Sequence, residues 1–170
     1  MAGMKKLINQ RGFSLFESMV ALLIIALLTV GISTGVKAAA GIYKRSLFVS
    51  EGDVLAATLD TALSDVLRYS SSISEEDGTV QFTNTNYSMV NGHLVLKDGW
   101  LYLNLTDEEA DDASDPSLTL LLSGGIYSSM EIESFTLNYS DGVFSGNYVI
   151  QSKEDAALEK SYDFYFRTLS

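Results

Sequence analysis

The chain has 170 residues, 46% apolar and 19% charged, which is room for one ordinary domain, or one small domain plus an extended element, and argues against a multidomain protein. Net charge is −11, and because Lys5, Lys6 and Arg11 all precede Gly12, the remainder carries 8 basic against 22 acidic residues, a surface that repels phosphates and makes direct nucleic-acid binding an unsupported reading. There is no cysteine, so disulfides and thiolate chemistry are excluded and cysteine usage says nothing of the redox compartment.

The first feature along the chain is a membrane-length apolar run. From Ser18 to Val36 no residue is charged, and at ~1.5 Å per residue a helix of that length crosses most of a ~30 Å hydrocarbon layer. The cations stand before it and the acidic remainder after it, so the positive-inside bias places Met1 in the cytoplasm and the C-terminal part outside. A secretory signal peptide has a shorter apolar core, of about 7–15 residues, although the small residues Ala38–Gly41 offer a cleavage site after the run. A plain signal anchor is the other ordinary reading. Neither accounts for Glu17, an acid inside the leading edge of the run, where a central position costs roughly 2.5–3.5 kcal/mol.

The residues Arg11, Gly12, Phe13, Ser14, Leu15, Phe16 and Glu17 resemble the class III leader and processing site of type IV prepilins: a short basic leader ending in Gly, then Phe, a hydroxyl residue, two apolar residues, a Glu at the fifth position and about twenty apolar residues. That resemblance implies cleavage after Gly12 by a prepilin peptidase, N-methylation of the new Phe13 amine, and an assembly platform that packs the mature chain helix-to-helix with other pilin subunits. Physics then gives Glu17 a role. With Phe13 as N-terminus, the carboxylate lies one helical turn from an α-amino cation, or within reach of a neighbour's, and a slipped register would leave both charges unpaired in low dielectric. The plainer alternative is that Glu17 snorkels to the membrane edge.

Beyond the run, Tyr43, Leu47, Val54, Leu55, Leu59, Leu63, Val66 and Leu67 recur at spacings near three and four, with charges between them. No proline interrupts Phe13 to Tyr69, so the pattern predicts one long helix over 13–69, its membrane half at 13–36 and its second half striped. Gly31, Gly35 and Gly41 each weaken a helix by about 1 kcal/mol relative to Ala, and bending or melting is expected to concentrate there. Many members of the resembled family carry a bending proline here, and the glycines are the candidates to replace it. Gly31 and Gly35 also fit a small-xxx-small packing pattern.

From residue 70 onward the signals turn to short β-rich runs, and 70–170 reads as an extracellular domain. Ser70 to Gly78 is polar and acidic, a loop by composition. Strands are expected at Val80–Phe82, Tyr87–Val90, His93–Lys97 and Trp100–Leu105, the last three joined into a meander by Asn91-Gly92 and Asp98-Gly99 hairpins. Further strands are expected at Leu118–Leu122, Ile132–Tyr139, Val143–Ile150 and Tyr162–Leu169, with an Asp141-Gly142 hairpin. Strict alternation puts Ile132, Ser134, Thr136 and Asn138 on one face and Glu133, Phe135, Leu137 and Tyr139 on the other. The fold class is therefore α+β, a long N-terminal helix packed against an antiparallel sheet.

No constellation carries catalysis. The acidic cluster Asp107, Glu108, Glu109, Asp111, Asp112 and Asp115 has the oxygen density of a calcium loop but not EF-hand spacing, and a solvated loop is the plainer reading. His93 is the only histidine and without cysteine makes a poor zinc site; it reads as a surface strand residue. No nucleophile elbow of the Gly-x-Ser-x-Gly type occurs, Gly124-Gly125 reads as a turn, and no other cofactor is implied. Trp100 and the tyrosines fit a β-rich core and its rim, with an adhesive aromatic patch as the alternative. The sequence thus predicts a subunit, minor pilin or pseudopilin, of a type IV pilus-like filament, held in the cytoplasmic membrane before it joins a surface or periplasmic filament. The rival is a non-polymerising membrane-anchored protein with an adhesive or ligand-binding ectodomain. Adhesion, twitching, secretion and DNA uptake are not distinguished by these residues.

Overall fold

The computed structural model describes residues 14–76, 78–106, 114–122 and 129–169. Helix α1 runs Leu15–Arg68, and the strands are β1 (Ser71–Glu76), β2 (Thr79–Asn84), β3 (Met89–Lys97), β4 (Trp100–Asn104), β5 (Leu118–Leu120), β6 (Met130–Ser140), β7 (Val143–Ser152) and β8 (Glu159–Arg167). The class is α+β, as expected, but the strands form two antiparallel sheets, of five strands in the order β1-β2-β3-β4-β5 and of three in the order β6-β7-β8. The chain divides into two units, 1–44 and 45–170.

From Leu15 onward the described part of the first unit is helical, and α1 continues unbroken through Gly31, Gly35 and Gly41. Its large apolar side chains are exposed, Leu15, Phe16, Leu22, Leu27 and Ile32 among them. Thr29 and Thr34 turn their hydroxyls back on the carbonyls of Ile25 and Val30 (2.8 and 3.1 Å), so neither presents a bare polar group to an apolar surrounding.

In the second unit the buried stripe of α1 is Phe48, Gly52, Leu55, Ala56, Leu59, Leu63, Val66 and Leu67. The three-four spacing holds, but Leu47 and Val54, expected in the stripe, are exposed, as is Tyr43 in the first unit. Phe48, Gly52 and Ala56 replace them, which rotates the stripe: small residues let the sheets approach more closely than the bulkier alternatives would. The same core takes Val80, Phe82, Met89, Leu101 and Leu103 from the five-stranded sheet and Ile132, Phe144, Tyr148, Ile150 and Phe164 from the three-stranded one. Phe82 and Phe144 meet edge-to-face across the two, 5.8 Å between centroids.

The end of α1 is fully used. The Val66 carbonyl accepts from Ser70 Oγ (2.9 Å) and from the buried Asn84 side chain (2.7 Å), the Leu67 carbonyl from the Ser70 amide (3.3 Å), and the Arg68 carbonyl from the Leu169 amide (2.8 Å). Carbonyls that a helix terminus leaves without intrahelical donors are thereby satisfied, and both ends of the β-domain are tied to the helix.

Four sequence readings change here. Ser71–Glu76 is a strand, paired with β2 from Glu76↔Thr79 to Ser71↔Thr83, and not a loop. It is a sheet edge with both faces largely exposed, so it lacks the apolar alternation that marks a half-buried strand, while Gly78 at φ +77 makes the turn. Asn91-Gly92 is not a hairpin: it lies inside β3, where Val90 and Asn91 together face Thr83 between the pairs Phe82↔Gly92 and Asn84↔Met89. That is a β-bulge with Asn91 at φ 51, and a Cβ on Gly92 would overlap the Asn104 carbonyl and the Met89 side chain, so the glycine serves close approach rather than a turn. The real β2–β3 connection is a 3-10 turn at Thr85–Tyr87, capped by Asn84 and closed by Ser88 in the left-handed region, so Tyr87 and Ser88 precede the strand expected to start there. In β6 a register shift between Ile132 and Ser134 lets Met130 and Ile132 face the core and then brings Phe135, Leu137 and Tyr139 to the same side, where strict alternation had put Ile132 opposite them. Asp98-Gly99 and Asp141-Gly142 are hairpins as expected, each with φ positive at both residues.

Candidate functional site: the helix start and the tyrosine clasp

At the N-terminal edge of the described chain, Ser14 stands immediately before α1 and Glu17 is its third helical residue. The Glu17 amide donates to Ser14 Oγ (3.2 Å), and the Ser14 amide donates back to Glu17 Oε2 (3.2 Å). This is a reciprocal capping box, which satisfies two of the amide donors that a helix start leaves open. Glu17 is exposed, and its carboxylate also complements the positive end of the helix dipole. Sequence reasoning gave Glu17 the role of a paired counter-charge or of an acid snorkelling to the membrane edge; the Ser-x-x-Glu spacing before an apolar run was the signal for this further one. Gly12 and Phe13, the expected processing residues, lie outside the described residues.

Residues 7–33 match the family model of the prokaryotic N-terminal methylation motif. The chain thus carries the N-terminal motif of type IV pilin-like precursors. No curated protein and no solved structure matches it. The motif is that of a structural subunit family rather than of an enzyme family, and it goes with a leader read by a prepilin peptidase and with membrane association. α1 is long and apolar enough to cross a membrane, and none of its most apolar window is buried, which fits the single-pass anchor of a pilin-like chain.

A second cluster fastens α1 to the three-stranded sheet. Asp53 and Asp60 stand two helical turns apart on α1, and the side chains that reach them come from neighbouring strands, since Tyr148 of β7 pairs with Tyr162 of β8. The Tyr148 hydroxyl donates to Asp60 Oδ1 (2.9 Å) and lies 3.2 Å from the Ala56 carbonyl. The Tyr162 hydroxyl donates to Asp53 Oδ1 (2.8 Å), as does Lys160 Nζ (2.6 Å). The two tyrosine rings stack at 5.5 Å between centroids. Gly52 makes room: a Cβ there would meet the Tyr162 hydroxyl at 3.3 Å. Donation from Lys160, then from Tyr162, holds the Asp53 carboxyl below its ordinary range. Burial, then the bond to Asp60, pushes the Tyr148 hydroxyl far above its ordinary range; burial, then the bond to Asp53, does the same for Tyr162. Nothing in this cluster is an activated nucleophile or base: the tyrosines are held neutral, and the arrangement is structural.

Of the acidic cluster, Asp107, Glu108, Glu109, Asp111 and Asp112 lie outside the described residues. Asp115 accepts from the Ser117 amide and hydroxyl (2.8 and 2.7 Å), a local turn bond. Among the described residues no group of three His, Asp or Glu side chains is placed to hold a metal ion. His93 is half-buried in β3 opposite Asn104. Trp100 is half-buried with Lys153 Nζ 5.2 Å from its ring centroid, so it belongs to the rim of the domain. Gly124-Gly125 falls outside the described residues.

Proposed function

We propose that the chain is a filament subunit, a minor pilin or pseudopilin, made as a precursor and cut after Gly12. The observation that carries this reading is the methylation motif over residues 7–33 lying directly on a helix start whose third residue is an acid. In this reading the first half of α1 anchors the chain with its acidic domain outside, and the same half is later drawn out and packed against the helices of other subunits. The prepilin peptidase and methyltransferase, the assembly platform and the neighbouring subunits are its partners.

Glu17 supplies the register. A carboxylate and an α-amino cation in an apolar bundle cost several kcal/mol each if left apart, so only the stagger that pairs them is populated. Glu17→Ala is expected to leave processing intact and to cut incorporation into sheared filaments at least tenfold, read by immunoblot of the filament fraction against the membrane fraction. Equal incorporation of mutant and wild type would remove the role. Mass spectrometry of the mature chain tests the foundation: a methylated Phe13 N-terminus is expected, and an intact Met1 would mean a tethered ectodomain that never polymerises.

A further inference from the structure

We infer that the outer edge of β6, over Phe135–Asn138, is a docking slot for an extended peptide of another protein, one that alternates apolar with basic side chains and adds a strand to the three-stranded sheet. The slot lies wholly within 45–170 and does not depend on the leader, the capping box or the membrane-length run.

Four strands end the two sheets: β1 and β5 in the five-stranded one, β6 and β8 in the three-stranded one. Proteins normally blunt such edges with charge, bulges or shortness. Three of the four are blunted: β1 is bulged and ends in Glu75 and Glu76, β5 has three residues, and β8 carries Glu159, Lys160, Asp163 and Arg167. β6 is protected only in its first part, where the Ile132 amide donates to the Gly99 carbonyl (3.0 Å) and a bulge follows. From Ser134 to Ser140 it has neither a charge nor a proline, and among the described residues no backbone group bonds to its outer side. Every second residue of an antiparallel edge turns both its amide and its carbonyl outward, so this stretch is one half of an unmade ladder.

What stands opposite turns the edge into a slot. A cleft of about 320 Å³ separates β6 at Phe135–Asn138 from Gly78, Val80 and Leu94. A Cβ on Gly78 would meet nothing within 4 Å, so the mouth is open. Val80 and Leu94 are buried and give the cleft an apolar floor. Glu75 pairs with Val80, which places it on the same face of the sheet, and it is exposed. Among the described residues Glu75 has no ion-pair partner. The β6 wall spans about 13 Å, the length of a short strand. A strand seated there meets hydrogen-bonding backbone on one side, an apolar floor for every second side chain, and a carboxylate at the margin for a lysine or arginine.

The test titrates the full chain, held in zwitterionic detergent micelles at physiological salt, with a blocked heptapeptide of alternating Val and Lys, and follows the backbone amide signals by NMR. Amides between Ser134 and Ser140 are expected to shift together, and the outward ones to exchange with solvent about tenfold more slowly at saturation. Two further peptides carry N-methyl groups, one on its odd and the other on its even residues. Because β6 offers a single edge, one of them is expected to bind about tenfold more weakly than the parent and the other to stay close to it. Equal affinity of the two methylated peptides overturns the inference, since binding would not run through one line of backbone hydrogen bonds. Glu75→Gln, a change at an exposed position, is expected to weaken the Val–Lys peptide about threefold. A Val–Glu peptide is expected to bind the unaltered chain more weakly than the Val–Lys one. Unchanged affinity in either comparison overturns the basic partner. Slow exchange of the same amides without peptide, growing with protein concentration, also overturns it, because β6 of a second copy would then take the edge.

Discussion

Single residues in this chain are constrained by what lies within one side chain's length of them, and the glycines and the buried amide make the point better than the charges do. Gly146 sits in the middle of β7 with ordinary strand dihedrals, yet a Cβ there would overlap the Thr136 carbonyl and the Phe164 ring. Phe164 lies opposite it on β8 and stacks on Phe135, Tyr148 and Phe166, so the missing side chain is what lets the ring cover the strand. Gly146→Ala is therefore expected to destabilise the domain by about 1–3 kcal/mol, the usual cost of overpacking, seen as a lower midpoint in urea unfolding. A midpoint equal to wild type would show that both the β6 backbone at Thr136 and the Phe164 ring yield freely. Asn84 is the other case: fully buried, it donates to the Val66 carbonyl (2.7 Å) and accepts from the Asn86 amide (3.0 Å). Asn84→Ala removes one of the two donors to the Val66 carbonyl and the acceptor of the Asn86 amide, and leaves a void in the buried site, for a loss of about 1–3 kcal/mol in the same assay. The Ser14–Glu17 capping box is local in sequence, so its spacing could have revealed it although the sequence analysis singled out only Glu17; Gly146 and Asn84 could not be found that way, because their partners are brought by strand pairing.

At the scale of elements, the joint between α1 and the three-stranded sheet has a pH signature whose sign follows from its hydrogen bonds. Asp53 titrates lower when folded than when unfolded, so its contribution to stability is present above the ordinary carboxylate value of about 4 and is lost as pH falls through the lower folded value. Tyr148 and Tyr162 titrate higher when folded, so theirs is present below the ordinary tyrosine value of about 10 and is lost as pH rises above it. Asp53 and Lys160 are substantially exposed, and a surface pair of this kind contributes little, so the alkaline limb should be the steeper one. Removing the buried hydroxyl checks the attribution: Tyr148→Phe is expected to cost about 1–3 kcal/mol at pH 7 and to flatten the loss of thermal midpoint between pH 9 and 11. An alkaline limb unchanged in the variant would place its origin elsewhere.

The elements also mark the limit of pattern reading. Asp98-Gly99 and Asp141-Gly142 were legible as hairpins because a two-residue turn with both φ positive is specified by those two residues alone. Asn91-Gly92 carries the same signal and lies inside a strand, since Asn tolerates the left-handed region in a bulge as well as in a turn. In β6 the bulge at Glu133 shifts the phase of the alternation, which no period-2 count can show from within one strand. The tyrosine clasp was invisible for a related reason: Asp53 and Asp60 read as solvated helix charges until the register of β7 and β8 places two hydroxyls against them.

For the whole molecule, the described chemistry separates at the boundary between the two units. Among the described residues every buried hydrophobic side chain, from Phe48 to Phe164, lies in 45–170, and so do both tyrosine contacts. Residues 14–44 are exposed along nearly their whole length and form no core of their own. Exposure of that many large apolar side chains is tolerable only in an apolar surrounding, which is why the first half of α1 reads as a membrane anchor rather than as part of the domain's stability. A chain beginning at residue 45 is expected to be soluble without detergent, to elute as a monomer, and to unfold in one cooperative transition, because it retains the stripe of α1, both sheets and the ties from Leu169 and Asn84 to the helix end. Its thermal midpoint should match that of the full chain's domain in micelles to within a few degrees, since a difference of about 1 kcal/mol moves a domain of this size by roughly 3–6 °C. A broad, non-cooperative transition, or a midpoint lowered well beyond that range, would mean that the apolar half of the helix stabilises the domain after all, and the division of labour between the apolar helix half and the folded domain would have to be redrawn.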